Sequence, residues 1–258
     1  DWEKNVVERL FAPKKTVQVA VVGKYIGLQD AYKSIYEAIT HAGISNQVKV
    51  EVRKIDSEDV EKLGPEKLLK GIDAVLVPGG FGGRGIEGKI KAIGFARKNK
   101  IPFLGLCLGM QCVVVDFARH VCGLKDANST EFKPKTRHPV ISLLSEQKNI
   151  KDLGGTMRLG AYPCKIMPQT LAAKVYRTHQ ISERHRHRYE FNNEYRKKLE
   201  SKGLIFSGIY QEKNLVEIVE LKGHPYFIAV QFHPEFKSKP DAAHPLFDHL
   251  IRAAAEKK

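Results

Sequence analysis

Apolar positions along the first half of the chain switch repeatedly between strand-like runs and helical spacing, which predicts strands interleaved with helices. Residues 16–22 form a Val-rich strand. Tyr32, Ile35, Tyr36, Ile39 and Ala42 then share one face of a 3.6-residue period, with Asp30 placed to cap that helix and Gly43 to stop it. Residues 48–55 read as the next strand, 72–77 as a buried strand, 86–99 as a helix and 101–106 as a short buried strand. After it Met110, Val113, Val114, Phe117, Ala118 and Val121 again mark one helical face. From Gly123 to Gly155 the chain is polar and irregular. Segments 157–166, 204–210 and 215–221 have strand character, 226–235 begins as a strand, and 246–255 closes the chain as a helix. The expected fold class is α/β, a mostly parallel or mixed central sheet flanked by helices. The pattern contains no internal repeat. At the amino end Trp2, Val6 and Leu10 lie four apart on a helix too short to stand alone, followed by Pro13-Lys14-Lys15. Residues 1–14 are therefore set apart from a core spanning 15–258.

The 101–106 strand ends in Gly105-Leu106-Cys107-Leu108-Gly109, the G-x-C-x-G form of a nucleophile elbow. A strand turning sharply into a helix pushes the apical side chain outward, and the helix amino end favours a thiolate there. A buried cysteine between packing glycines is the plainer alternative, so Cys107 needs partners. His233-Pro234-Glu235 supplies them: an imidazole to exchange a proton with a thiol, and a carboxylate to fix its tautomer. A third element follows the 72–77 strand, Pro78-Gly79-Gly80-Phe81-Gly82-Gly83-Arg84-Gly85. Its glycines let backbone N–H groups approach a ligand, and the Gly80 and Leu108 amides are the candidate oxyanion donors. The loop lacks the Gly-Lys-Ser/Thr ending of a phosphate loop.

PGGFGGRG (78–85), GLCLGMQ (105–111), NSTEF (128–132), GGTMRLG (154–160), ERHRHRYEFN (183–192) and QFHPEF (231–236) together resemble the class I glutamine amidotransferase domain of CTP synthase, from about Lys15 onward. The resemblance implies the class I amidotransferase fold. It implies hydrolysis of L-glutamine to glutamate and ammonia through a cysteinyl thioester, with Cys107, His233 and Glu235 as the triad. Gly80, Leu108, Gly109, Met110, Gln111, Glu131 and Arg188 would then surround the glutamine, Glu131 meeting its ammonium and Arg188 its carboxylate. The ammonia would serve amination of UTP to CTP by a separate amidoligase domain, to which ATP and magnesium belong. The glutaminase part needs no cofactor or metal of its own. GTP is implied as an activator sensed by Arg84 and the glycine loop, and the full-length enzyme as a homo-oligomer. Residues 1–14 would be the tail of an interdomain linker. Two rivals stay open: a γ-glutamyl peptidase on the same scaffold, and a non-catalytic regulatory module.

Composition narrows the setting. The sequence has no run of 18 apolar residues, its opening acidic and basic residues lead to the expectation of no secretory leader, and its four cysteines (107, 112, 122, 164) lack CxxC spacing. A reduced, cytoplasmic location is expected, with no membrane contact and no zinc site in the His-rich stretch. The net charge of +14 is scattered rather than gathered into a stripe with interleaved aromatics, which speaks against nucleic acid and for anionic partners, nucleotides and the separate amidoligase domain.

Overall fold

The computed structural model describes residues 1–143 and 157–257, so Gly154, Gly155 and Thr156 of the GGTMRLG motif, with the end of the irregular stretch, lie outside the described residues. A nine-stranded sheet runs in the order β2-β1-β3-β4-β12-β11-β10-β7-β8. Its strands are β1 (Lys15–Gly23), β2 (Val48–Asp56), β3 (Ala74–Val77), β4 (Phe103–Leu106), β7 (Arg158–Ile166), β8 (Gln180–His187), β10 (Leu204–Tyr210), β11 (Leu215–Leu221) and β12 (Phe227–Val230). From β2 across to β12 every pairing is parallel; from β12 to β8 every pairing is antiparallel. The expected α/β class, a mixed sheet flanked by helices, is what the chain forms. A small second sheet joins β5 (Ala127–Ser129) and β6 (His138–Ser142), inside the stretch expected to be irregular, to β9 (Glu190–Phe191), which follows β8. Its strands are too short for a period-2 pattern to announce them.

Strand alternation builds two cores. Val17, Val19 and Val21 of β1, with Leu104 and Leu106 of β4, face helices α1 (Lys33–Asn46) and α4 (Pro245–Glu256). Ala20, Val22, Val75, Val77 and Phe103 face α2 (Ile86–Lys98) and α3 (Leu108–His120) on the other side. Two expectations about α1 are corrected. Asp30 lies in a 3₁₀ turn and does not cap the helix, whose first residue follows Tyr32 with no side-chain cap bond. Gly43 does not stop it either. A Cβ there would stand 2.8 Å from the Val48 carbonyl oxygen, so this glycine serves close packing on β2 and the helix runs on to Asn46.

At the amino end, Glu3–Val7 winds as a π-helical turn and Glu8–Phe11 as one α-turn. Only Val6 of the expected stripe is buried; Trp2 and Leu10 are exposed. The Lys14 N–H donates to the Gln47 carbonyl at 2.8 Å, so the segment joins the core at the end of α1. Among the described residues no helix is long and apolar enough to cross a membrane.

Candidate active site

Three parallel neighbours carry the chemistry to one edge of the sheet. Val77 at the end of β3 is level with Gly105, and Leu106 at the end of β4 is level with Val230 at the end of β12. The next residues of each strand are therefore neighbours: the glycine loop, Cys107, and Gln231-Phe232-His233. This is the carboxyl edge of a parallel sheet, where such folds place ligands.

Cys107 has φ 51° and ψ −103°, a left-handed φ that a residue with a Cβ seldom adopts. Its N–H donates to the Val230 carbonyl at 2.7 Å, and its own carbonyl accepts from Met110 at 3.0 Å as α3 begins. The elbow glycines supply space rather than an unusual φ. A Cβ on Gly105 would stand 2.9 Å from that of Ala229, and one on Gly109 would stand 2.2 Å from the Val77 carbonyl oxygen. Leu108 is the first residue of α3, so its N–H has no acceptor within the helix. Gly79 fits between His233 and Cys107, where an added Cβ would lie 3.1 Å from Cε1 of the one and 3.5 Å from Cβ of the other.

His233 Nδ1 is 2.8 Å from Glu235 Oε1. The backbone between them turns at Pro234 into a 3₁₀ turn, which brings a carboxylate two residues away under the ring. The His233 N–H also donates to the Arg184 carbonyl at 2.8 Å, fixing this segment to β8. His233 Nε2 is buried with no hydrogen-bond partner. Burial lowers the imidazole pKa, but the Cys107 sulfur and then the Glu235 carboxylate more than offset this and raise it to about 10. The raised pKa favours the imidazolium form of His233.

Two clefts meet at Cys107. One, of about 250 Å³, is lined by Gly79, Gly80, Cys107, Arg186, His233 and Glu235, with Tyr25 and Tyr32 opposite. The other, of about 20 Å³, is lined by Gly80, Cys107, Leu108, Gln111, Glu131 and Arg188 among others. Five of the seven residues expected around an amino-acid substrate thus share one small cleft. Gly109 and Met110 are not among them. Gly109 packs on Val77 and the Met110 side chain is wholly inside the core, so only their backbones are near. Within the cleft, Arg188 Nε is buried with no hydrogen-bond partner, and Glu131 Oε1 accepts the Gly82 N–H at 2.9 Å. Gln111 Nε2 donates to the Tyr189 carbonyl at 3.1 Å and to Gln231 Oε1 at 3.3 Å. Both its N–H bonds are spent on the protein, which leaves its oxygen for a ligand. Arg84 of the glycine loop pairs with Glu58 at 3.1 Å and donates to the Lys24 carbonyl at 3.0 Å.

Residues 184–187 of the basic stretch belong to β8, and their alternation has a physical basis. Glu183, His185 and His187 point inward while Arg184 and Arg186 are exposed. The inward histidines join Arg158, Glu190 and Glu217. Arg158 stands 2.9 Å from each carboxylate, and His185 Nδ1 is 2.9 Å from His187 Nε2. Burial raises both carboxyls, with Arg158 acting against it, and pushes His185 down to about 2 and His187 to about 3, so both rings are neutral. The period of two in this stretch was the available signal for the network. Lys89 was missed. It is fully buried, its Nζ donates to the Pro78 carbonyl at 3.3 Å, and burial lowers its pKa to about 8. Its place between Ile86, Ile90 and Ile93 on the inner face of α2 was the clue. The other cysteines are set apart from this chemistry: burial raises the pKa of Cys112 to about 12 and raises those of Cys122 and Cys164. Among the described residues no group of three or more His, Cys, Asp or Glu could hold a metal ion.

The model of the glutamine amidotransferase class-I family matches residues 27–253. A CTP synthase of Caldanaerobacter subterraneus subsp. tengcongensis is 58% identical over 253 residues, which are 98% of this chain and 47% of that protein. A CTP synthase of Synechococcus sp. (strain JA-2-3B'a(2-13)) is likewise 58% identical, over 98% of this chain and 46% of its own length. The chain thus spans about half the length of the curated relatives it matches. The glutaminase domain of Trypanosoma brucei CTPS, solved with bound acivicin, superposes with a TM-score of 0.87 at 39% identity, covering 94% of this chain and 95% of that one. With the nucleophile elbow, the strand-end histidine and the mixed sheet in place, the chain belongs to the class I glutamine amidotransferase family.

Proposed function

We propose that this chain hydrolyses L-glutamine to glutamate and ammonia and delivers the ammonia to an amidoligase domain that converts UTP to CTP. One observation carries the reading. Cys107 lies where a cleft holding His233 and Glu235 meets a second cleft holding Glu131 and Arg188. A nucleophile and its proton carrier adjoin an acid and a base of the right types for a free amino acid.

The Cys107 thiolate attacks the side-chain amide carbon of glutamine, and the electron pair of the C=O bond moves onto oxygen. The N–H groups of Gly80 and Leu108 receive that oxyanion, a contribution of up to ~3 kcal/mol for each donor. The His233 imidazolium then protonates the departing nitrogen, the C–N bond breaks, and ammonia leaves a γ-glutamyl thioester on Cys107. Water attacks the thioester as His233 takes up its proton, releasing glutamate and the thiolate. Glu235 holds the imidazole through Nδ1 and stabilises its cation. At the other end of the substrate, Glu131 and the oxygen of Gln111 accept from the α-ammonium, and Arg188 donates from its unpartnered Nε to the α-carboxylate.

GTP, ATP and magnesium enter by the same reading. GTP orders the glycine loop through Arg84, while ATP and magnesium serve the amidoligase portion. The full-length enzyme is a homo-oligomer, residues 1–14 are its interdomain linker, and it works in the cytoplasm, where four unpaired cysteines are at home. Supplied with glutamine, UTP, ATP and magnesium, this chain should release glutamate and ammonia slowly and form no CTP. Adding the amidoligase domain should restore CTP formation and GTP stimulation of glutamine hydrolysis. A preference for γ-glutamyl peptides over free glutamine would point to a peptidase, and CTP formed by this chain alone would refute the division of labour.

A further inference from the structure

We infer that Gln231 is a further catalytic residue, donating from its side-chain amide to the Cys107 sulfur at the end of an amide relay that begins in the amino-acid cleft. The inference rests on the proposed role of Cys107 as nucleophile.

Gln231 is the first residue beyond β12, two before His233, and is completely buried. Its Nε2 is 3.7 Å from Cys107 Sγ, within reach for a bond to sulfur. Its Oε1 accepts from Gln111 Nε2 at 3.3 Å, and that same nitrogen donates to the Tyr189 carbonyl at 3.1 Å. These partners decide which way both amides point. A backbone carbonyl can only accept, so Gln111 turns its NH₂ group to Tyr189 and to Gln231. Gln231 must then present its oxygen to Gln111 and its NH₂ to the sulfur.

The consequence depends on the charge of the sulfur. As a thiol, Cys107 donates to the Arg186 carbonyl 3.8 Å away. As a thiolate it has no proton to give, and that carbonyl dipole then repels it. The Gln231 N–H remains and strengthens, because a donor to an anion is worth more than a donor to a neutral acceptor. Gln231 therefore favours the ionised nucleophile. Gln111 lines the cleft of Glu131 and Arg188, so it acts through Gln231 as a positioning residue that ties that cleft to the nucleophile.

Replacing Gln231 by Met keeps the bulk and removes the donor. Three readings are taken on Gln231→Met and the unaltered chain: glutaminase kcat and KM, the pH dependence of Cys107 alkylation by iodoacetamide, and thermal denaturation. The expected result is a kcat about 10- to 100-fold lower, a KM changed by no more than about twofold, and an alkylation midpoint about one pH unit higher. A folded variant with unchanged kcat and alkylation midpoint overturns the inference. So does a loss of kcat with an unmoved midpoint, which would make Gln231 merely structural. If the variant does not fold, the unaltered chain carries the test by NMR. The Gln231 side-chain NH₂ signals should shift as Cys107 titrates and should not do so in Cys107→Ala; shifts that persist there contradict the relay. Alkylation and NMR require no turnover, so a chain without glutaminase activity would defeat the proposed function and leave this inference to be judged separately.

Discussion

Gly109 lies so close to Val77 that a methyl group on it would stand 2.2 Å from the Val77 carbonyl oxygen. The contact seats the first turn of α3 on the strand that ends in the glycine loop, so one close approach positions both the nucleophile and an oxyanion donor. Gly109→Ala must push the helix from the strand, costing about 1–3 kcal/mol of stability and a larger share of activity. Denaturation and glutaminase assays check this. Wild-type values in both would mean that the packing does not position the site.

Ionisation of the catalytic pair sets a pH limit. The His233 pKa is raised from 6.5 to about 10, so its cation stabilises the folded chain fully below the ordinary value and loses that contribution as pH rises through about 10. Activity should fall over the same alkaline range as the imidazolium loses its proton. Glu235→Gln removes one of the groups that raise the pKa and should move the fall to lower pH. An alkaline limb of kcat/KM that stays in place in Glu235→Gln would contradict the assignment of Glu235.

Arg188 and Glu131 should separate binding from folding. Arg188→Lys keeps the charge and loses the planar fork, and Glu131→Gln keeps the shape and loses the anion. Each should raise the glutamine KM by about tenfold or more while shifting the melting temperature little. An unchanged KM in Arg188→Lys would place the carboxylate elsewhere.

The network beneath β8 makes a prediction about stability alone. Arg158 lies 2.9 Å from both Glu190 and Glu217, all three buried. Arg158→Met leaves two buried carboxyls facing each other and should cost about 3–5 kcal/mol, read from chemical denaturation. A loss below about 1 kcal/mol would mean that the carboxyls are already neutral without the arginine.

Long elements and the elbow were legible in the sequence because period and glycine spacing encode them directly. Cys107 could be singled out because it follows one apolar strand, and His233 and Glu235 because they follow another; parallel register then brings those two strand ends level. Gly43 misled because a glycine that permits close packing looks in sequence like one that ends a helix. Alternation along 183–187 marks a strand, but the partners of its inward histidines, Arg158, Glu190 and Glu217, lie elsewhere in the chain and only the fold gathers them. Gln231 stood in the sequence only as the first residue of QFHPEF: a single amide acquires its meaning when the fold sets it against a sulfur and a second amide.

The claim on which the rest depends is that Cys107 is the nucleophile for glutamine. Glutamate release from glutamine, measured for the unaltered chain and for Cys107→Ala after both are shown to be folded, tests it most directly. Cys107→Ala should have no activity above background, while Cys112→Ala, Cys122→Ala and Cys164→Ala should each keep theirs. Turnover by folded Cys107→Ala near the unaltered level would contradict the claim.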